Sequence, residues 1–395
     1  MDRRLLVLDD ERDVCLLITE AGEEAGYACR HATDLSTFWQ AYDEFGPTLL
    51  VLDLALEEED GIHVLRALYE RGATAGIILI SGYDNRVLAT AQRIADSLGL
   101  QVISTLSKPI DIYALLGLLE HSVQAASAAI SEDSLRAAIE KEQFELYYQP
   151  RVTADGEGTW KIIGAEALIR WHQPTKGLVL PGDFIPLAER TGAIDEITQF
   201  TFRSVVRQIA EWRREGFDLQ ASVNLSPSLL KRVDLPDIFA GLCAEHGIRP
   251  NDITLEITES GVMDDPTVSM EILSRARLKG FSLAIDDFGT GYSSLVQLYR
   301  MPFNELKIDR EFVKDLPHQK EALEITSILI DLGRRLGLKL CAEGVETGAA
   351  LEALRGLGCD IVQGYYISKP LTVTEFETFL GTWLAEGRSR RFAPS

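Results

Sequence analysis

The sequence predicts an α/β protein of two domains: a doubly wound (βα)5 domain, then a modified TIM (β/α)8 barrel with an antiparallel first strand. Three observations support this prediction. Residues 1–120 alternate strand-like apolar segments with amphipathic stretches. Residues 121–133 are rich in Ala and Ser, which is typical of a linker with helical propensity. In residues 134–390, polar residues follow one strand-like segment after another, as at the carboxyl ends of barrel strands.

The first domain contains five βα units. The expected strands are RLLVLD, YACRHA, TLLVLDLAL, GIILISG and QVISTLSKP. The expected helices lie near residues 11–25, 34–44, 61–71 and 85–97, with a last one that starts near Asp111. The run TLLVLDLAL is apolar almost throughout, which predicts a central parallel strand buried on both faces.

The barrel is expected to begin with a hairpin. FELYYQPRV and WKIIGAEALIRW are separated only by TADGEGT, which is too short for a crossover helix. The later strands alternate with helical stretches, so right-handed βα crossovers should close the barrel. These strands are expected near residues 221–225, 253–258, 282–287, 305–309, 339–343 and 361–366.

Composition excludes several classes of protein. The net charge of −22 argues against DNA or acidic membranes as partners, although a small anionic ligand remains possible. No apolar run approaches a membrane span, and the basic MDRR start leads into a strand and not into a secretion signal. The five cysteines are odd in number and form no CxxC, which suits a reducing cytoplasm. We therefore expect a cytoplasmic protein.

Five polar residues mark a candidate site in the first domain. Asp9 and Asp10 end the first strand, Asp53 the third, Ser81 the fourth and Lys108 the fifth. The carboxyl ends of the strands converge at one edge of a doubly wound sheet. We predict that the three carboxylates hold one Mg²⁺ and that Asp53 is the nucleophile for an aspartyl phosphate. Ser81 and Lys108 would hold the phosphoryl oxygens.

Together with Asp60-Gly61, these residues resemble a response-regulator receiver domain over residues 1–120. The resemblance implies that a sensor histidine kinase donates the phosphoryl group to Asp53. The chain departs from the family at Glu57, where a Pro is usual. It also has Thr105 where the family often has a switch Tyr or Phe. We therefore expect phosphate acceptance, but not the familiar coupling of a hydroxyl shift to an aromatic rotation.

A second candidate site lies at the strand ends of the barrel, where polar residues interrupt apolar segments. These positions are Glu166, Asn224, Glu256, Asp286, Asp287, Lys307 and Glu343. Five carboxylates cannot stay together without cations, so the pattern predicts a metal site for about two ions. Oxygen ligands suit Mg²⁺ or Mn²⁺, and the lack of His or Cys at these positions argues against zinc.

Structural explanations compete with the metal site at some positions. Asn224 alone could be a turn residue, and Lys307 a solvated charge. Glu256 alternates with apolar neighbours and so should point into the barrel, where an unpaired carboxylate costs several kcal/mol. Asp286 follows the apolar SLAI and poses the same problem. These two residues argue against a purely structural barrel.

Over residues 134–390 the sequence is similar to the EAL family of cyclic-di-GMP phosphodiesterases. The motifs that carry the resemblance are EALIRW, LEITES, DDFGTGYSSL, KID, AEGVE and QGYY, in that order, with Asn224 between the first two. The resemblance implies hydrolysis of cyclic di-GMP to the linear dinucleotide pGpG with Mg²⁺ or Mn²⁺. We expect Ca²⁺ to inhibit, because it prefers longer bonds of about 2.3–2.6 Å and looser geometry.

The resemblance also implies a role for each matching residue. One ion would be held by Glu166, Asn224, Glu256 and Asp286; Asp286 would bridge to a second, held with Asp287 and Glu343. Lys307 would orient the attacking water, and Glu343 would accept a proton from that water. Glu346, one turn beyond Glu343, would support these two residues. Arg170 is expected to bind a phosphate, and the groove is expected to be lined by Gln149, Leu168 and Gln363.

A loop after the Asp pair completes the predicted barrel site. Glu259 is expected to anchor the segment from Phe288 to Tyr292, which would close over the ions. The helix that follows is expected to have Ser293 or Ser294 as its N-cap.

We interpret the chain as a response regulator whose receiver domain controls a phosphodiesterase, and we expect it to form a homodimer or higher homo-oligomer. Two alternatives stay open at this stage. The barrel could be a catalytically silent receptor for cyclic di-GMP, or the chain could be a phosphorylation-controlled interaction protein.

Overall fold

The computed structural model describes residues 3–56, 61–82, 85–112, 114–119, 130–154, 159–174, 176–263, 265–289, 295–314, 316 and 318–385. The chain divides into two compact units, Met1–Ala129 and Ile130–Ser395. Most of the predicted linker 121–133 lies outside the described residues. Its last part is described: Ser131 caps the helix Glu132–Glu140 and accepts a hydrogen bond from Ser134 N.

The first unit is a five-stranded parallel sheet with the strand order β2-β1-β3-β4-β5. Its strands are β1 Arg4–Leu8, β2 Ala28–Ala32, β3 Leu49–Asp53, β4 Gly76–Ser81 and β5 Val102–Ser107. The helices are Arg12–Glu24, Leu35–Phe45, Gly61–Glu70 and Asn85–Ser97, and residues 114–119 are also helical. The predicted doubly wound (βα)5 fold is confirmed.

The central strand β3 is buried along its whole length, as its apolar sequence predicted. Leu50 and Leu52 pack into one hydrophobic layer, and Leu49 and Val51 pack into the layer on the other face. Alternation along the strand therefore supplies both layers. The next helix starts at Gly61, where a Cβ atom would lie 2.6 Å from Leu54 Cα, so a residue with a side chain does not fit.

The second unit is a closed barrel. Its strands are β6 Phe144–Ala154, β7 Trp160–Gln173, β8 Gly177–Val179, β9 Gln220–Asn224, β10 Ile253–Thr258, β11 Ser282–Phe288, β12 Glu305–Ile308, β13 Lys339–Ala342 and β14 Ile361–Val362. β6 pairs antiparallel with both β7 and β14, which closes eight strands into a ring, and the short β8 pairs antiparallel with the end of β7 as a ninth strand. The remaining neighbours pair in parallel, so the predicted barrel with its antiparallel first strand is confirmed.

Helices cover the outside of the barrel. After Glu132–Glu140 they are Pro181–Thr191, Ile194–Arg214, Leu235–Glu245, Glu259–Met263, Pro266–Leu278, Leu295–Arg300, Arg310–Val313, Lys320–Arg335, Gly348–Leu357 and Val373–Ala385. Aromatic rings fill part of the layer between helices and strands: Phe202 stacks on Phe239 with ring centroids 3.8 Å apart. Among the described residues, none of the helices combines the length and apolar character that crossing a bilayer requires.

The last strand is shorter than expected. A strand was predicted over 361–366, but β14 ends at Val362. Beyond it the backbone turns toward the loop after β13, and Val345 N donates a hydrogen bond to Gln363 O at 3.1 Å. A Cβ atom at Gly364 would lie only 2.2 Å from Val345 N, so the chain can follow this path because residue 364 is a glycine.

A buried ion pair crosses the interior of the barrel. Arg151 on β6 donates a short hydrogen bond from Nη2 to Glu305 on β12, and both side chains are buried. Each lies two residues from an inward-facing polar residue, Gln149 and Lys307, so strand alternation directs all four into the barrel. TIM barrels normally fill this space with branched apolar residues. Here the interior contains a charged layer.

We predict that the Arg151→Met variant loses about 3–5 kcal/mol of stability, because the Glu305 carboxylate is left buried without its cation. The double variant Arg151→Met/Glu305→Met should recover most of this loss, since no unpaired charge remains. The measurement is thermal unfolding followed by tryptophan fluorescence. Four of the five tryptophans, Trp160, Trp171, Trp212 and Trp383, lie in the barrel unit.

Arg136→Met is the control, since Arg136 forms an exposed pair with Glu132 and should not shift the transition. A double variant as unstable as the single one would contradict the electrostatic explanation and indicate a packing role.

Candidate functional sites

The predicted polar residues of the first unit meet at the carboxyl edge of its sheet. Asp9, Asp53 and Ser81 are buried there. Lys108 Nζ lies 2.7 Å from Asp53 Oδ2 and 3.0 Å from Asp9 Oδ2. Carboxylate oxygens of Asp9, Asp10 and Asp53 all lie within 4.8 Å of one another. This arrangement of hard oxygen atoms fits a small divalent cation.

Burial opposes the charge of the Asp9 carboxylate. Removal from water raises the pKa of Asp9 to about 6, although Lys108 and the backbone N–H of Glu11 both favour its ionised form. A bound cation would favour the same ionised form, because it neutralises neighbouring carboxylates that repel each other.

Glu11 is a member of this site that the sequence prediction missed. Its Oε1 accepts a hydrogen bond from Lys108 Nζ at 2.8 Å, so one ammonium contacts three acidic residues. Its place in the site could have been predicted from its position directly after Asp9 and Asp10. Glu11 also precedes the helix Arg12–Glu24 without capping it through its side chain.

In the barrel, a buried lysine lies at the centre of the predicted acidic residues. Lys307 is 1% exposed. Its Nζ lies 2.6 Å from Glu256 Oε2, 2.6 Å from Glu343 Oε1 and 3.2 Å from Asp286 Oδ2. Glu166 Oε2 is 3.7 Å away. The four carboxylates belong to β7, β10, β11 and the residue after β13, so the closure of the barrel brings them together.

Two amides fix the orientation of these carboxylates. Asn224 Nδ2 donates to Glu166 Oε1 at 2.8 Å. Gln363 Nε2 donates to Glu166 Oε2 at 2.6 Å and to Glu343 Oε1 at 3.0 Å. Gln363 was predicted to line the substrate groove; its described hydrogen bonds place its amide inside the acidic cluster.

The acidic residues differ in how readily they ionise. Burial, reinforced by neighbouring carboxylates, raises the pKa of Glu343 to about 8 and that of Asp287 to about 6. Burial also raises the pKa of Glu256 well above its ordinary value, despite the adjacent Lys307. For Glu166, burial is outweighed by Lys307 and by the two amide donors, and the pKa falls below its ordinary value.

The barrel cluster fits divalent cations better than a purely structural role. Oxygen atoms of Asp286, Asp287 and Glu343 lie within 4.8 Å of one another. Glu256 Oε1 is buried and has no hydrogen-bond partner among the described residues. A carboxylate oxygen buried without a partner is costly unless something positive binds it. One lysine cannot neutralise five carboxylates, so the residues present suit hard cations such as Mg²⁺ or Mn²⁺.

Asp287 is held in a strained backbone conformation. Its φ is +55°, which residues other than glycine seldom adopt, and the pairing of β11 with β12 shifts register between Ile285 and Phe288. Asp287 N donates to Asp286 Oδ1 at 3.0 Å. Strain of this kind at adjacent acidic residues is typical of functional sites.

Asp309 is a second residue that the prediction missed. It interacts with the Asp287 carboxyl and contributes to the raised pKa of Asp287. Its backbone position follows β12 directly, and it caps the helix Arg310–Val313 by accepting a hydrogen bond from Glu311 N at 2.7 Å. Side chains two residues apart on a strand point to the same face, so the position of Asp309 two residues after Lys307 could have predicted its place in the site.

The remaining predicted residues surround the cluster. Glu259 Oε2 accepts a hydrogen bond from Gly289 N at 2.8 Å, at the start of the predicted loop. Residues 290–294, which include Tyr292, Ser293 and Ser294, lie outside the described residues. Gln149 Nε2 donates to Ser368 O at 3.1 Å.

Arg170 and Glu346 have partners of their own. The Arg170 guanidinium lies over the Tyr147 ring, 5.5 Å from its centroid, and Leu168 is paired across the strands with Tyr147. Glu346 pairs with Arg310 Nη2 at 2.8 Å and is exposed. Glu346 is therefore part of an ion pair beside the cluster.

Comparison with protein families agrees with this geometry. The model of the EAL domain matches residues 132–370. The chain belongs to the EAL family. The model of the response regulator receiver domain matches residues 5–120, so this EAL protein carries an N-terminal receiver domain.

Curated relatives of this EAL protein are found in Pseudomonas aeruginosa. The cyclic di-GMP phosphodiesterase RocR is 31% identical over 338 residues, which cover 83% of this chain and 85% of RocR. The bifunctional diguanylate cyclase/cyclic di-GMP phosphodiesterase MucR is 43% identical over 238 residues, or 60% of this chain and 34% of MucR. The chain thus spans about a third of the length of MucR and of NbdA, which is also named a cyclic di-GMP phosphodiesterase.

Solved structures show the same fold. The PaMucR phosphodiesterase in complex with c-di-GMP matches with a TM-score of 0.59 and 42% identity, over 62% of this EAL protein and 98% of that chain. The EAL enzyme Bd1971, bound to cAMP and cyclic-di-GMP, matches with a TM-score of 0.60 and 27% identity, over 75% of this chain and 76% of that one.

Proposed function

We propose that this EAL protein hydrolyses cyclic di-GMP to pGpG and that phosphorylation of Asp53 controls the rate. The observation that carries the proposal is the buried acidic cluster around Lys307, with Glu256 Oε1 buried and unpartnered among the described residues. RocR, whose name records a cyclic di-GMP phosphodiesterase, matches this chain across both domains and supports the proposal.

Two groups of residues would hold about two Mg²⁺ or Mn²⁺ ions. The first consists of Glu166, Asn224, Glu256 and Asp286; the second consists of Asp286, Asp287 and Glu343. When bound, such ions activate water and offset the negative charge that develops on a phosphodiester. Asn224 and Gln363 orient Glu166 before any ligand binds, because both donate hydrogen bonds to its oxygens.

The protein's own charged groups have distinct tasks. The Lys307 ammonium stabilises negative charge that develops on the diester, and it directs the attacking water through hydrogen bonds. Glu343 would be the general base: burial and neighbouring carboxylates raise its pKa, and bound cations would offset that repulsion and favour the ionised form that accepts a proton. Arg170 binds a substrate phosphate, since a guanidinium matches two phosphate oxygens. Glu346 would support the site from beside the cluster, where it pairs with Arg310.

The substrate groove would include Gln149 and Leu168, beside Arg170 on the paired strands β6 and β7. Glu259 would anchor the predicted loop through Gly289, from whose N–H it accepts a hydrogen bond. Gln363 would contact the substrate only if its bonds to the carboxylates rearrange, so we assign it mainly to the acidic cluster.

In the receiver domain, Asp53 is the proposed phosphoacceptor and a sensor histidine kinase the phosphoryl donor. Asp9 and Asp10 would hold one Mg²⁺ with Asp53. Ser81 and Lys108 would bind the phosphoryl oxygens, and Lys108 already lies 2.7 Å from Asp53. We further propose a cytoplasmic homodimer or higher homo-oligomer that binds neither DNA nor membranes, in keeping with the net charge of −22.

Chromatography of the nucleotides after incubation with cyclic di-GMP and Mg²⁺ tests the activity. We expect pGpG from the wild type. The variants Glu166→Gln and Lys307→Met should lower turnover by about 10²–10³-fold or more, because each removes charge from the reacting centre. Lys161→Met, at an exposed position on β7, is the matched control and should be active.

Bound but intact nucleotide in the wild-type reaction would contradict hydrolysis and indicate a receptor. If cyclic di-GMP does not bind at all, an interaction protein becomes the better interpretation.

Calcium should inhibit this reaction in the presence of Mg²⁺. Ca²⁺ prefers bonds of about 2.3–2.6 Å and a looser ligand geometry, so it competes for the carboxylates without supporting the same alignment. The measurement is the rate of pGpG release at fixed Mg²⁺ with increasing Ca²⁺. Equal rates with either ion as the sole cation would contradict this prediction.

Phosphorylation of Asp53 should change the rate at which the barrel hydrolyses cyclic di-GMP. Treatment with acetyl phosphate or beryllofluoride is expected to alter turnover in the wild type, because a new anion at Asp53 competes for Lys108, which now contacts Asp53, Asp9 and Glu11. Asp53→Asn is the control and should not respond. Unaltered turnover of the wild type, with phosphorylation verified by mass spectrometry, would remove regulation from the proposal.

A further inference from the structure

The charged layer in the barrel interior places a buried cation beneath the acidic cluster. Arg151 on β6 reaches Glu305 on β12, although β13 and β14 separate these two strands in the ring. The arginine side chain therefore extends across the interior. Glu305 precedes Lys307 by two residues on the same strand, so it lies about 6.6 Å further from the carboxyl ends of the strands. The guanidinium is thus held one layer below the Lys307 ammonium.

The Arg151 guanidinium is within electrostatic reach of the proposed metal ligands. It interacts with Glu256 and Glu166 as well as with Glu305. Its Nε atom is buried and has no hydrogen-bond partner among the described residues, and the same is true of Glu256 Oε1. The interior therefore contains an unpartnered cationic donor and an unpartnered carboxylate oxygen that attract each other.

Arg151 cannot reduce this attraction by losing its charge. A guanidinium is not deprotonated in proteins, and it is costly to bury without an anion. Among the described residues, Glu305 is the carboxylate that pairs with it. Without Glu305, the guanidinium would turn to Glu256 or Glu166, with which it already interacts. It would then occupy carboxylate oxygens that a metal ion needs.

We propose that Glu305 is a positioning residue of the metal site: it holds the Arg151 guanidinium away from Glu256 and so keeps that carboxylate available for a divalent cation. This inference rests on the proposed function and adds a residue to it. Glu305 contacts neither the ions nor the substrate. It therefore acts on the affinity for the ions and not on the chemical step.

Binding of Mn²⁺ to the full chain tests this role without turnover. The reference protein and every variant carry Asp10→Asn, which weakens the ion site of the receiver domain, so that the signal reports the barrel. Electron paramagnetic resonance measures free Mn²⁺ during the titration. Glu305→Gln should raise the apparent Kd for Mn²⁺ by about 10–100-fold, the usual effect of losing a residue that supports metal ligands.

Removal of the guanidinium should cancel this effect. The double variant Arg151→Met/Glu305→Gln should bind Mn²⁺ with nearly the reference Kd, because no buried guanidinium is left to compete. Arg151→Met alone should bind the ion at least as tightly as the reference. Either single substitution leaves a buried charge unpaired, so a purely structural role would weaken binding in both single variants.

Asp252→Asn is the matched control. Asp252 is 2% exposed, against 5% for Glu305, and it pairs with Arg213 and Arg249. It directly precedes β10, at the end of that strand far from the acidic cluster. The variant should be destabilised, as thermal unfolding would show, but its Kd for Mn²⁺ should not change.

An unchanged Kd in Glu305→Gln would overturn the inference, and so would a raised Kd in Arg151→Met. If Glu305→Gln does not fold, Arg151→Met decides: a Kd at or below the reference value supports the competition, and a higher value contradicts it.

The same titration separates failure of this inference from failure of the proposed function. If the reference protein binds Mn²⁺ and hydrolyses cyclic di-GMP while Glu305→Gln binds the ion equally well, only the role of Glu305 is wrong. If the reference protein binds no Mn²⁺ in the barrel, the proposed metal site is wrong as well.

Discussion

The contact of Lys307 with the surrounding carboxylates is the interaction on which the barrel site depends. Several acidic side chains converge on a rim that water hardly reaches, and each would be costly there without positive charge nearby. The ammonium contacts Glu256 and Glu343 at 2.6 Å each. One positive charge is too little for the whole group, which explains why Glu343 and Asp287 both have raised pKa values. The remaining negative charge is what makes the rim a place for divalent cations.

The requirement that a buried charge have an oppositely charged partner also shapes the interior below the rim. Arg151 and Glu305 occupy positions that an ordinary barrel fills with apolar side chains, and they neutralise each other there. A buried ion pair contributes little net stability, because desolvation offsets most of its attraction. It does, however, penalise any register of β6 that separates the two charges. The antiparallel first strand is thus matched by charge to β12, a strand with which it does not pair in the sheet.

The sequence predicted the parts of this structure that follow from local rules. Lys307 and its neighbours were found because polar residues at successive strand ends must meet when βα units close a barrel. Asp309 was missed, although the same alternation points to it. The pair of Arg151 and Glu305 was beyond local reasoning, because the two residues meet only across the closed barrel. Gln363 was assigned to the groove for a similar reason: its two acceptors lie on other strands, at distances that no spacing in the sequence reveals.

The turn after β14 ties one member of the acidic cluster to the backbone. Val345 N donates to Gln363 O, Tyr366 N donates to Val345 O, and a Cβ atom at Gly364 would lie 2.2 Å from Val345 N. A side chain at position 364 would therefore push the turn away from the loop after β13. The Gln363 amide would move with it and release Glu166 and Glu343, so a purely steric change in the main chain would be felt as a loss of order among the carboxylates.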